Sequence, residues 1–210
     1  SKRCVNREFL IKVKELLIKE KRKTGANKEK FIRPILAGVI TDPDSSEAQE
    51  AFTLIRDGYL DKIQFHDCDI PPPADKKWKD IPRYAAVKIG SEEDLCRFFD
   101  LLDRGQPRVL VDARSEKGEG GTGERISDVF LDGIAGKTPL WLAGGINPQN
   151  VEDIILKYQP ELIDIASGVE DAGAETAGKK DRLKLVELFE KVEDACEKIR
   201  EADIAYKKEK

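Results

Sequence analysis

The chain has 210 residues, 40% of them hydrophobic and 37% charged, with a net charge of -4. That length suits one sizeable domain, the charge offers no pull toward nucleic acid, and no apolar run is long enough to span a membrane. Cys4, Cys68, Cys96 and Cys196 are widely spaced, form no CxxC pair and fit a reducing cytoplasm. His66 is the single histidine, which argues against a histidine-built zinc site and a Ser-His-Asp triad. Methionine is absent, and no signal-peptide pattern is read at the N-terminus.

Asn6 can cap a helix whose apolar stripe is Phe9, Leu10, Val13, Leu16 and Leu17, ending near Gly25. Residues 35–40 read as a buried strand. Asp44, Ser45 and Ser46 open a helix with Ala48, Ala51, Phe52 and Ile55 inward, closed by Gly58. Residues 60–66 form the next strand, and the stiff Pro71-Pro72-Pro73 loop delays the one at 84–89. Ser91 and Asp94 resemble a capping box, followed by inward Leu95, Phe98, Phe99 and Leu102. A strand at 108–112 ends on the carboxylate of Asp112, and a glycine-rich loop follows.

Residues 139–151 combine an apolar strand, Gly144-Gly145, and a helix start at Asn147-Pro148. Glycines there bring bare N–H groups to a positive helix end, where a phosphate is the natural guest. One αβ step later, Leu162 to Glu170 repeats the pattern with Ser167-Gly168, so the two strand ends suit one shared anion site. A charged helix over about 180–206 ends the chain, with Leu185, Val186, Leu188, Phe189 and Val192 inward. Alternating strands and helices imply a parallel sheet, either doubly wound or a (β/α) barrel. No GxGxxG follows the first strand, and phosphate binding by the last two strand ends is a barrel habit. The expectation is an α/β TIM (β/α)8-type barrel, with residues 1–210 forming a single domain that shows six of the eight strands.

In this order the motifs resemble the phosphoribosylanthranilate isomerase family of tryptophan biosynthesis. Ser1-Lys2-Arg3-Cys4-Val5 resembles its Ser-x-Arg-Tyr-Val, Gln64-Phe65-His66 its Gln-Leu-His, and Gly120-Gly121-Thr122-Gly123 its Gly-Gly-Thr-Gly loop. Leu142 to Val151 and Ser167 to Glu170 resemble its phosphate loops, and Gly178-Lys179-Lys180-Asp181 its Gly-x-Lys-Asp. The resemblance implies an Amadori rearrangement of an N-phosphoribosyl anthranilate aminoaldose to the 1-deoxyribulose aminoketose, by one acid and one base without metal or organic cofactor.

By this resemblance Asp112 is the general acid, held protonated by partial burial, and Arg3 grips the anthranilate carboxylate. Gln64, His66, Gly121, Thr122 and Asp164 contact substrate, and Gly144, Gly145, Ser167 and Gly168 hold its phosphate. The family's base is a cysteine on its first strand, and Cys4 occupies a different position. A first βαβ portion is therefore expected upstream. Asp67 replaces a glycine, Ile126-Ser127-Asp128 replaces Phe-Asp-Trp, and residues 172–177 lengthen a loop.

Plainer readings stand beside these. Asp112 could be a strand-end cap or ion-pair partner, Gly144 and Gly145 turn glycines, and His66 a hydrogen-bonded strand-end residue. Gly118 to Gly123 could be a linker instead of a substrate-covering loop. Cys96 and Cys196 are expected to pack inward. The expected partner is a phosphosugar, with no nucleic acid or membrane, for a monomer or homodimer. Alternatives are another phosphosugar aminoaldose isomerase or epimerase, or a non-catalytic barrel that binds a phosphometabolite.

Overall fold

A computed structural model describes residues 4–24, 33–71, 76, 78–113, 126–171, 173 and 178–208. The elements are α1 (Arg7–Thr24), β1 (Ala37–Ile40), α2 (Ser46–Arg56), β2 (Lys62–His66), β3 (Arg83–Ile89), α3 (Glu92–Asp103), β4 (Val109–Ala113), α4 (Asp128–Ile134), β5 (Trp141–Leu142), α5 (Val151–Tyr158), β6 (Leu162–Ile163), a 3₁₀ turn (Ser167–Val169) and α6 (Arg182–Lys208). Strand order follows chain order, β1-β2-β3-β4-β5-β6. That is the order of a (β/α) barrel wall, whereas a doubly wound sheet reverses at a switch point. The chain divides into two compact units, Ser1–Ala85 and Ala86–Lys210, with the boundary inside β3.

In the first unit the Asn6 side chain accepts from Phe9 N at 2.9 Å and caps α1 as expected. Ser45 caps α2 by accepting from Ala48 N at 3.2 Å. β1 and β2 run parallel, with Ala37 opposite Lys62 and Ile40 opposite Phe65. The core gathers Ile63, Phe65, Ala48 and Leu54 around Trp78, whose ring meets those of Phe52 and Phe65 edge-on. Two expectations change. Ile35, which precedes β1, and Val39 within it are exposed, and the stripe of α1 is narrower than drawn, with Leu10 buried but Phe9 and Leu16 exposed.

In the second unit Val109, Leu110 and Val111 are all buried, the continuous pattern of a strand covered on both faces. The α3 cap works in two directions: Ser91 Oγ accepts from Asp94 N, while the Asp94 carboxylate reaches back to Gly90 N at 3.0 Å. α4 was not anticipated; Ser127 caps it and Ile126 anchors it from inside. The expected inner face of α6 is narrower. Leu188 is buried and Leu185 and Val192 are half-buried as expected, and Ala195 is buried with them, whereas Val186 and Phe189 are exposed. Cys96 and Cys196 are exposed as well, so neither packs inward. No described helix is long and apolar enough to cross a membrane.

At the N-terminal ends of the last three strands, one carboxylate ties the sheet together. Glu161 accepts from Arg108 through both oxygens and from Trp141 Nε1 at 2.6 Å. The Arg108 bond, and then the Trp141 bond, pull the Glu161 carboxyl from its ordinary 4.5 down to about 2. A depressed folded-state pKa contributes stability that is present above the unfolded value and lost as pH falls through the folded one. Glu161→Gln is therefore expected to lower the urea midpoint at neutral pH, with the gap to the parent closing between about pH 4.5 and pH 2. Parallel pH series of denaturation curves check this; a gap independent of pH would contradict it.

Candidate functional site

Parallel pairing in register levels the C-terminal strand ends of the second unit. Val111 lies opposite Leu142, and Leu142 opposite Ile163. The backbone bonds Ala143 N to Val111 O at 2.7 Å and Asp164 N to Leu142 O at 2.8 Å carry the ladder one step further. Asp112, Ala143 and Asp164 thus come level at the end where a barrel of this type places its chemistry.

Asp112 is half-buried, and its Oδ1 accepts from Ala113 N at 2.8 Å. Gly144 sits against it. A Cβ there would lie 3.0 Å from Asp112 Oδ1 and 2.5 Å from Ala113 N, at a φ of +88°. Only glycine accepts both the conformation and the contact. Asn147 and Asn150 then brace the loop: Asn150 Nδ2 donates to Gly145 O at 2.9 Å, and Asn147 Oδ1 accepts from Gln149 N at 2.9 Å. Asn147 was expected to cap α5 directly. It caps the turn 148–150 instead, and the helix opens at Val151.

The second loop meets the first by backbone. A Cβ on Gly168 would stand 1.9 Å from Ile146 O and 3.0 Å from Asn147 Cα. The two glycine-bearing strand ends are therefore adjoining walls, as the sequence repeat implied. The 3₁₀ turn that carries Ser167 and Gly168 is held from behind. Lys180 Nζ donates to Ala166 O at 2.6 Å and Glu170 Oε1 at 3.0 Å, and Lys184 Nζ to Glu170 O at 2.7 Å. Asp181 caps α6 by accepting from Leu183 N at 2.8 Å. The sequence marked Lys180 and Asp181 as a motif; their bracing role became visible only with the contacts.

The first unit has its own polar group at a strand end. Gln64 and His66, two residues apart on β2, share one face. Gln64 Nε2 lies 3.1 Å from His66 Nδ1, and Tyr84 Oη donates to Gln64 Oε1 at 2.9 Å. Tyr84 went unnoticed in the sequence, where it reads only as a strand residue. Arg3, Gly121 and Thr122, and with them residues 118–123, expected from sequence to cover the substrate, lie outside the described residues. Among the described residues, no three His, Cys, Asp or Glu side chains converge as a metal site would require.

The sequence pattern of the family described as N-(5'phosphoribosyl)anthranilate (PRA) isomerase matches residues 12–191. The chain belongs to this phosphoribosylanthranilate isomerase family. Its similarity to the N-(5'-phosphoribosyl)anthranilate isomerase of Caldanaerobacter subterraneus is 35% identity over 63% of this chain and 61% of that protein. With the Listeria welshimeri isomerase it is 32% over 76% of this chain and 73% of that one. The chain thus spans about three fifths of the first relative's length. Among solved structures, phosphoribosyl anthranilate isomerase from Thermotoga maritima superposes with a TM-score of 0.61 at 24% identity, covering 84% of this chain and 80% of that one. A phosphoribosyl anthranilate isomerase in complex with reduced 1-(o-carboxyphenylamino)-1-deoxyribulose 5-phosphate gives 0.55 at 22%, over 84% and 79%. These likenesses establish the shared fold.

Membership explains one departure. Asp67, at the position where the family motif continues with glycine, has a φ of +52°. Aspartate is among the few non-glycine residues that enter this region readily. The chain after β2 thus takes a left-handed conformation that a glycine would also accept.

The loop contact predicts a steep contrast between two glycines. Gly168→Ala should destabilise the fold by at least about 1–3 kcal/mol, because a backbone carbonyl blocks the new methyl. Gly133→Ala in α4, whose Cβ meets nothing closer than Leu95 Cδ2 at 3.7 Å, should be stabilising by up to about 1 kcal/mol. Denaturant titrations of both variants check the pair.

Proposed function

We propose that the protein catalyses the Amadori rearrangement of N-(5-phosphoribosyl)anthranilate in tryptophan biosynthesis. The observation that carries this reading is the juxtaposition in the second unit: Asp112 beside Gly144, one residue before a glycine loop whose Ile146 carbonyl touches Gly168. A carboxyl group beside two adjoining glycine-bearing loops supports the reading, because a phosphorylated aminosugar requires a proton donor near an anion-binding site.

Phosphate would be received by the backbone amides of Gly144, Gly145, Ser167 and Gly168 and by the Ser167 hydroxyl. Asp112 delivers its proton to the ribose ring oxygen; the C1–O bond breaks, and the anthranilate nitrogen lone pair forms the protonated imine. Loss of the C2 proton to a base then gives the enolamine, which tautomerises to the aminoketose. The resemblance assigns that base to a cysteine on a strand not among the six described here. Arg3 anchors the anthranilate carboxylate, and Gln64, His66, Gly121, Thr122 and Asp164 contact the remainder of the substrate. The enzyme works in the cytoplasm as a monomer or homodimer, without cofactor, and the whole of residues 1–210 belongs to one barrel domain.

Replacing the acid separates catalysis from binding. Asp112→Asn is expected to reduce turnover by about 10²–10⁴-fold or more while leaving the affinity for the aminoketose product within a few fold. Steady-state assays and product titration measure the two. Product binding without turnover in the parent protein would favour the non-catalytic barrel, and turnover unaffected by the substitution would remove Asp112 from the reaction.

A further inference from the structure

We propose that Tyr84 is a positioning residue which, through Gln64, holds His66 in the tautomer that carries its proton on Nε2. The inference rests on the reading of His66 as a substrate contact, but its first test does not. Gln64 is buried, with 5% of its surface exposed, and a primary amide so placed must have both ends satisfied. Its two ends are chemically unlike: the oxygen only accepts and the nitrogen only donates.

The phenol of Tyr84 decides which end faces which neighbour. Its oxygen lone pair is delocalised into the ring, so it is a good donor and a poor acceptor. Tyr84 Oη therefore donates to Gln64 Oε1, at 2.9 Å, and the amide nitrogen is turned toward His66. At 3.1 Å, the contact between Gln64 Nε2 and His66 Nδ1 is a hydrogen bond only if Nδ1 accepts. A neutral imidazole that accepts at Nδ1 carries its hydrogen at Nε2. Tyr84 thus sets the proton of a ring it acts on through one intervening amide. The outcome is a ring at the C-terminal end of β2 whose proton is held on Nε2.

The single histidine makes this directly readable, because one imidazole gives one set of signals. In ¹⁵N-labelled protein at about pH 8, where an ordinary imidazole is neutral, His66 is expected to show a protonated Nε2 and an unprotonated Nδ1. Tyr84→Phe frees the amide to turn over and should move the Nδ1 resonance toward its protonated position. Gln64→Glu places a carboxylate beside Nδ1 and should invert the pattern to Nδ1–H. A parent spectrum with Nδ1–H overturns the proposal. So does a Tyr84→Phe spectrum identical to the parent, even if the Gln64→Glu protein fails to fold.

Kinetics separate this proposal from the one it rests on. If His66 serves the isomerase, Tyr84→Phe lowers kcat/KM by roughly 10-fold, in step with the tautomer shift. A correct tautomer in a protein without isomerase activity keeps the positioning role and dismisses the isomerase reading. A tautomer shift with unchanged kinetics dismisses Tyr84 as a positioning residue for the reaction.

Discussion

The site of the second unit depends on one steric constraint: the backbone around Gly168 lies against the backbone at Ile146 and Asn147 with no room for a side chain. Van der Waals exclusion at this distance admits no compromise by rotamer change, because the obstructing atom is a carbonyl oxygen. The consequence is that the spacing of the loops after β5 and β6 is set at this point by backbone alone. The phosphate proposed to bind amides of both loops would require such fixed spacing, and a contact without side chains provides it.

The supports behind that contact are electrostatic and lie on the outer side. Lys180 and Lys184 bracket the 3₁₀ turn through Ala166 O and Glu170, and Asp181 ties the same segment to α6. The opposite ends of the strands are held differently. There Glu161 joins Arg108 and Trp141, and in the first unit Asp61 joins Arg33 and the Leu36 amide. Ion pairs at these N-terminal ends commit their charges to structure. Taken unit by unit, the C-terminal strand ends carry Asp112 and Asp164 in the second and His66 in the first, and within each unit this is the separation of stability from candidate site residues that the fold leads one to expect.

The strands, the caps at Asn6, Ser45 and Ser91, and the glycine loops were legible because each is a local signal of a few residues. Exposure was less so. Val39 and Ile35 are apolar and β-branched, and nothing in their own neighbourhood tells an exposed position from a buried one. Phe189 and Val186 fell on the wrong side because a charged, 27-residue helix permits more than one apolar stripe, and tertiary contact chooses between them. The short α4 has too little periodic pattern to declare itself. Asp112 could be placed at a strand end from sequence, but its contact with Gly144 could not, since one lies near the end of β4 and the other in the loop after β5.

Tyr84 and Asp67 mark the deeper limit of reading motifs. The family's motif draws attention to Gln64 and His66 but is silent about the side chain that orients the glutamine. That side chain comes from β3 and is brought near only by sheet pairing, where Ile63 N meets Pro82 O at 2.9 Å. At Asp67 the motif is broken, yet the residue holds a positive φ that a glycine would also allow. A departure from a motif can therefore fit a conformation open to the motif residue, and the orientation of a matching residue can depend on one outside the motif. In this protein the unit that matters for the β2 strand end is the hydrogen-bonded group of Tyr84, Gln64 and His66. On the proposed reading, its role turns on which atom carries a proton, a property that no comparison of residue identities contains.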